Sequence, residues 1–336
     1  MKERLSGADF IRAISAIGIV TFHFSCTIVE YNSGDFLPLY NTANGSWGFI
    51  FVTIFFILSG AMLYYNYPKI TSLRQFYYKR WLSVFPMFYI AFLLFHLNHV
   101  IQSHSFFYLG HPFKFILSIL GMDGYFLYLG PNYNLIGEWF LGAIILLYIL
   151  YPVLLKLINH PAITSILLTA LWILQVNTTI FKIHNTRNLI SCIISFYFGM
   201  MFMKYYNTIY KIMSKLYVLI LSSLICLTII FIPLPIPINF TLHVLGALLF
   251  MLLFRVGNLV MRFSTFNFCI SKTSTLSYAI FLLHHRLLYK ILAPFHNLNI
   301  LTTILLLLAT YIICFIASYI LYYVNKKICK FFRKCS

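Results

Sequence analysis

Apolar runs of membrane-spanning length recur from one end of this chain to the other, and they leave little choice of solvent. Runs at 10–29, 47–67, 81–98, 139–158, 162–176, 189–206, 216–232, 239–259, 276–292 and 301–324 are bounded by charged residues, Pro, Asn or Gly. A helix needs about 20 apolar residues to cross the hydrocarbon core, and most of these runs reach or approach that length. The run at 162–176 is the shortest. A further apolar piece at 113–122 lies inside the long loop 98–138 and is too short to cross. Charged residues make up 9% of the 336 and hydrophobic residues 61%, against roughly a quarter charged in soluble domains. The sequence predicts an all-α membrane protein of about ten transmembrane helices. It reads as a single polytopic domain over 1–336, with no soluble domain appended.

The net charge of +18 raises the question of nucleic acid, and the placement of the charges answers it. They lie in short segments between apolar runs, where they act as topology signals. With the N-terminus in the cytoplasm, the inner segments collect Lys2, Arg4, Lys69, Arg74, Lys79, Arg80, Lys156, Lys204, Lys211, Lys215, Arg255, Arg262, Lys272, Lys326, Lys327, Lys330, Arg333 and Lys334. The outer segments hold Lys114, Lys182 and Arg187; Lys156, Lys204 and Arg255 are counted inside because they close their runs at the inner end, while Arg12, Arg286 and Lys290 are counted within runs. This asymmetry predicts cytoplasmic N- and C-termini and a multi-pass protein of the cell membrane. Lys2 and Arg4 before an apolar stretch mimic a signal peptide, but no small-residue cleavage site follows, so the segment reads as a retained first helix. The cysteines show no metal spacing; Cys26, Cys192, Cys226 and Cys314 fall within runs and read as small hydrophobes. His96, His99, His104 and His111 surround the long outer loop at spacings that suit no metal site, and they read as solvated.

Ionisable groups inside a membrane are costly and mark functional sites. The first run carries Asp9, Arg12 and His23. Asp9 and Arg12 are three apart, so they can pair on a helix. At about 100° per residue, Arg12 and His23 differ by only about 20° around the helix and are separated by about 16 Å along it. One face thus carries a cation near the cytoplasmic end and a neutral base deeper in. Burial favours the neutral imidazole. Such a face suits a long phosphorylated donor. Of the cluster His284, His285, Arg286 and Lys290, consecutive positions point to different faces, so not all are expected at one site. Ser59 and Gly60 read as helix-packing residues.

Several stretches together resemble the membrane-bound acyltransferase 3 family. The segment Asp9-Phe10-Ile11-Arg12-Ala13-Ile14 leading to Phe22-His23-Phe24 is similar to the family's opening, a basic residue followed by ten residues and a histidine. Phe55-Phe56-Ile57-Leu58-Ser59-Gly60 resembles its second-span motif. The stretch from Phe76 through Lys79-Arg80-Trp81 to Pro86 resembles its basic approach to the third span. Trp139-Phe140-Leu141 with Tyr148 and Tyr151-Pro152 resembles its fourth-span pattern, and Leu276-Ser277-Tyr278 with Leu282-Leu283-His284 its late serine-tyrosine-to-histidine motif. One position departs: where the family often has a second arginine, three residues after the one matching Arg80, this chain has Ser83.

The resemblance implies an O-acyltransferase that moves an acyl group, usually acetyl from acetyl-CoA, to a hydroxyl of a cell-surface or lipid-linked glycan. It implies His23 as the catalytic residue with Arg12 holding the donor, aided by Lys79 and Arg80, and no metal. His23 would take the hydroxyl proton as it attacks the thioester, with Tyr278 or Trp139 stabilising the oxyanion; an acyl-histidine relay competes with direct transfer. Glu138, Trp139, Tyr278 and His284 are the candidate substrate-binding residues, with Asp9 as the structural partner of Arg12. The partners are acyl-CoA, a glycan or lipid-linked sugar and membrane lipid, not nucleic acid. A transporter or flippase of a lipid-linked glycan is the alternative, although no inverted repeat or matched pair of broken helices supports it. A polysaccharide polymerase would want larger, acid-rich outer loops.

Overall fold

Each of the ten apolar runs forms helix, because a backbone without water must satisfy its polar groups internally. The computed structural model describes residues 4–334 apart from 110, 131, 132, 134, 135, 233, 234 and 236, and not the side chains of 138 and 331–334. The described residues form twelve α-helices: α1 Ser6–Glu30, α2 Trp47–Asn66, α3 Leu73–Ser103, α4 Pro112–Ile119, α5 Glu138–Leu157, α6 Pro161–Val176, α7 Leu189–Lys204, α8 Tyr206–Met213, α9 Leu216–Phe231, α10 Ile238–Val260, α11 Ser264–Leu292 and α12 Ile300–Lys334. Among the described residues there is no strand, and one isolated bridge joins Gly34 to Leu298.

Six of these helices, α1, α2, α3, α5, α10 and α12, are long and apolar enough to cross a membrane. The tightly bent pair α7 and α8, which turns by 89° at Tyr205, passes the same test as a unit. The other runs differ for physical reasons. Helices α6 and α9 have 16 residues each, a length of about 24 Å, short of a hydrocarbon core of about 30 Å. Helix α11 is long, at 29 residues, but polar, because Lys272, Arg286 and Lys290 lie within it.

Helix α1 is the centre of the molecule, enclosed by α2, α10, α11 and α12. Small residues allow this. A side chain at Gly7 would meet the Phe254 carbonyl, and one at Gly18 the Phe51 ring. The most extensive helix pair is α2 with α7. There, a methyl at Gly60 would overlap the Phe196 carbonyl, and one at Gly199 the Ile57 carbonyl. Backbones this close are the packing that small residues permit between membrane helices, as read for Gly60. Behind it, the fully buried Tyr151 donates its hydroxyl to the Tyr67 carbonyl at 2.7 Å, tying α5 to the C-terminal end of α2.

Contacts fix the relative directions of the helices. Asp9 meets Ser274, and His23 meets His284, so α1 and α11 run parallel. Phe49 and Trp139 lie beside Arg187 just before α7, while Tyr67 meets Tyr151, which packs on Phe196. Helices α2, α5 and α7 are therefore parallel to one another. They run against α1, whose Gly18 and Phe22 pack on Phe51 and Gly48.

The last third of α3 departs from expectation at His96. His96 is 1% exposed, stacked on Phe92 at 5.4 Å and enclosed by Phe106, Tyr108, Phe115 and Tyr133. The aromatic side chains of the loop collapse onto it to leave water. His104 and His111 are exposed, as read from the sequence. Tyr133 donates to the His111 carbonyl at 3.1 Å, which folds the end of the loop back over this aromatic cap.

Candidate functional site

The first turns of α1 build a charged network. Asp9, 4% exposed, pairs with Arg4, with Arg12 Nη1 at 3.3 Å, and accepts from Ser274 Oγ at 2.7 Å. A buried carboxylate demands such partners. Three of them leave Arg12 with donor capacity to spare, because guanidinium has five N–H groups. Arg12 lines a cavity of about 320 Å³ between α1, α2, α3, α5 and α11, together with Ser59, Arg80, Ser83, Tyr148 and Tyr278.

Arg80 is held in that wall by the aromatic residues around it. Its Nη2 donates to Tyr67 Oη at 3.2 Å, and its guanidinium lies 5.1 Å from the Tyr67 ring and 5.8 Å from the Tyr148 ring. Two arginines therefore face one cavity, an arrangement suited to phosphate oxygens. Ser83 also lines it and donates its hydroxyl to the Arg80 carbonyl at 2.7 Å. Lys79, the neighbouring basic residue, is exposed and does not line the cavity. A helix turns about 100° per residue, so only one of the two can face inward.

His23 lines a second, smaller cavity of about 160 Å³ with Phe49, Trp139 and Arg187. The Arg187 guanidinium lies 5.8 Å from the Phe49 ring and 5.9 Å from the Trp139 ring, a cation held between two aromatic faces. The two cavities share two walls, Phe140 and Phe281, whose rings meet edge to face at 4.9 Å. These two phenyl rings thus stand between the cavity of Arg12 and that of His23.

Behind His23 stand two histidines of α11. The His23 ring lies 5.2 Å from that of His284 and 4.1 Å from that of His285. His284 is fully buried and His285 is 9% exposed. His284 Nδ1 is 2.8 Å from the Phe281 carbonyl and 3.2 Å from that of Ile280. Carbonyl oxygens only accept, so Nδ1 carries the proton. Of the cluster His284, His285, Arg286 and Lys290, the two histidines reach His23 although they are consecutive. Two positions about 100° apart straddle the line between α1 and α11, and both rings lean across it.

The residues named from sequence thus separate into two groups. Arg12, Arg80 and Tyr278 share the larger cavity, and His23 and Trp139 the smaller. Tyr278 donates to the Val84 carbonyl at 3.0 Å and lies outside the His23 cavity, so Trp139 is the better placed of the two for chemistry there. His284 backs His23. The Glu138 side chain lies outside the described residues. Sequence reasoning missed His285 and Arg187. His285 lies just outside the motif that singles out His284, and Arg187 reads as an outer-loop charge whose aromatic partners are distant in sequence.

Comparison with curated proteins and with solved structures gave no match. The family comparison did: a model described as an acyltransferase domain matches residues 5–323. That span contains both cavities and nearly all of the multi-pass helical body, so the chain belongs to the acyltransferase 3 family of membrane acyltransferases.

Proposed function

We propose that the protein is an O-acetyltransferase of the cell membrane. It takes acetyl from acetyl-CoA and gives it to a hydroxyl of a cell-surface or lipid-linked glycan. The observation that carries this reading is the pair of cavities that share Phe140 and Phe281 as walls. A donor whose phosphates rest on Arg12 and Arg80, with a thin pantetheine arm running along α1, brings its thioester to His23. The separation of about 16 Å along the helix suits such an arm. Lys79, exposed at the mouth, attracts the anionic donor from solution.

The chemistry then follows from the side chains. Neutral His23 accepts the proton of the acceptor hydroxyl while that oxygen attacks the thioester carbonyl carbon. The C–S bond breaks, the imidazolium returns the proton to the departing thiolate, and free CoA and the O-acetyl ester result. Trp139 and Arg187 line the same cavity, where Arg187 offsets charge growing on the carbonyl oxygen. Glu138 and Trp139 hold the acceptor, with His284 behind the base, while Tyr278 lines the donor's cavity. In the bilayer we place ten crossings with both termini in the cytoplasm. The parallel pairing of α1 with α11, and of α2 with α5 and α7, supports this threading, since each set holds runs of one parity.

The test uses membranes containing the protein, given acetyl-CoA labelled in the acetyl group. Label is expected in extracted glycan. Glycan crossing the membrane without label would instead support the flippase reading. A second expectation concerns the shared wall. Phe281→Trp narrows the passage between the cavities, so label transfer is expected to fall about tenfold or more while CoA binding stays within about twofold. Undiminished transfer in a folded Phe281→Trp protein would mean that the donor takes another path.

A further inference from the structure

The three histidines carry more than one base. Each of His23, His284 and His285 offers a ring nitrogen, and these nitrogens all lie within 4.8 Å of one another. In a tetrahedral zinc site with bonds of 2.0–2.1 Å, ligand atoms are about 3.4 Å apart. Modest ring rotation closes the difference. His284 already has the orientation of a metal ligand, with Nδ1–H held by backbone carbonyls and Nε2 presented as the acceptor. A backbone carbonyl on the far nitrogen is the usual support of a metal-bound imidazole.

We propose that His23, His284 and His285 form a site for a borderline divalent transition metal, best met by Zn²⁺, with the fourth position open to the cavity. The donor set selects the ion. Imidazole suits Zn, Cu, Ni and Co over Mg and Ca. Three neutral ligands supply no compensating charge, and Arg187 lines the same cavity. A hard, oxygen-seeking cation therefore has nothing to hold it, and an anion such as hydroxide or chloride completes the shell. The metal takes a lone pair of His23, so metal binding and proton acceptance exclude each other. The site is inhibitory, a consequence that rests on the acyl-transfer reading; the binding itself does not.

The test uses the full-length protein purified in detergent, with Co²⁺ as the spectroscopic probe and Zn²⁺ as the competitor, and no donor or acceptor. One Co²⁺ per chain with the intense visible bands of tetrahedral coordination is expected, displaced by Zn²⁺. His284→Ala and His285→Ala are each expected to weaken binding by about tenfold or more. His104→Ala and His111→Ala, which remove exposed histidines, are expected to leave it unchanged. If the α11 variants fail to fold, X-ray absorption of the zinc-loaded wild type decides: three nitrogen ligands at about 2.0 Å support the site, and an oxygen-rich six-coordinate shell overturns it. Absence of stoichiometric binding, or binding that survives in folded His285→Ala, also overturns it. A protein that binds metal yet transfers no acetyl after a chelator has stripped the metal fails only the acyl-transfer reading, and an active enzyme that binds none fails only this one.

Discussion

Acetyl transfer is expected to fall by about a hundredfold or more when His23 is replaced by alanine, the range a general base supplies. Expression and thermal stability are expected to stay near wild type, because His23 is half-buried beside a cavity and its loss enlarges a space that already exists. His23→Gln keeps polarity without basicity and is expected to be as inactive. Arg12→Ala gives a different signature. With Arg12 in its proposed place on the donor's phosphates, the KM for acetyl-CoA is expected to rise, and kcat to change less if the contact is equal in ground and transition states. Arg12→Lys keeps the charge but loses the planar fork, and an intermediate KM is expected. Asp9 retains Arg4 and Ser274 in either variant, so the α1 terminus stays folded, which a melting curve checks. Rapid quenching with labelled donor separates the two chemical routes: protein-bound label at His23 before acceptor is added marks the acyl-histidine relay, and its absence marks direct transfer. A fully active His23→Ala protein would end this assignment.

The apolar runs made the helical membrane architecture legible, because they are a local property of sequence. So was the Asp9–Arg12 pair, three residues apart on one helix. The rest depends on contacts that no local pattern encodes. Ser274, which completes the Asp9 network, lies in the polar first half of α11, outside the apolar run 276–292 that marked this helix. Arg187 reads as a loop charge until folding brings Phe49 and Trp139 to its two sides. His285 lies outside the motif that ends at His284, but the partner helix α1 lies between the directions of the two residues, and their side chains bridge the gap. Tyr278 shows the converse. Its motif suggested the catalytic cavity, and a hydrogen bond to the Val84 carbonyl holds it at the other one. His96 reads as solvated beside the long loop, yet it lies in α3 and the aromatics that follow enclose it.

The α2–α7 crossing carries the largest structural effect expected. In Gly60→Ala and in Gly199→Ala the new methyl meets backbone: the Phe196 carbonyl in the first case and the Ile57 carbonyl in the second. Backbone of a packed helix cannot swing aside as a side-chain tip can, so the helices must separate. Overpacking of this kind costs about 1–3 kcal/mol, and a lower melting temperature in detergent is the expected readout for both. Gly246→Ala is the control. Its methyl would meet the Thr53 side chain, which yields by rotating, so a smaller loss is expected. The double variant Gly60→Ala/Gly199→Ala separates mechanism from coincidence. One displacement of α2 from α7 relieves both clashes, so its loss is expected to be less than the sum of the two singles. The same displacement reaches the site. Phe49 and Ser59 of α2 line the smaller and larger cavity respectively, and Arg187 just before α7 lines the smaller. Transfer in the surviving folded fraction is therefore expected to drop as well, although neither glycine touches donor or acceptor. Wild-type melting in both single variants would show that the two helices are not held at this distance.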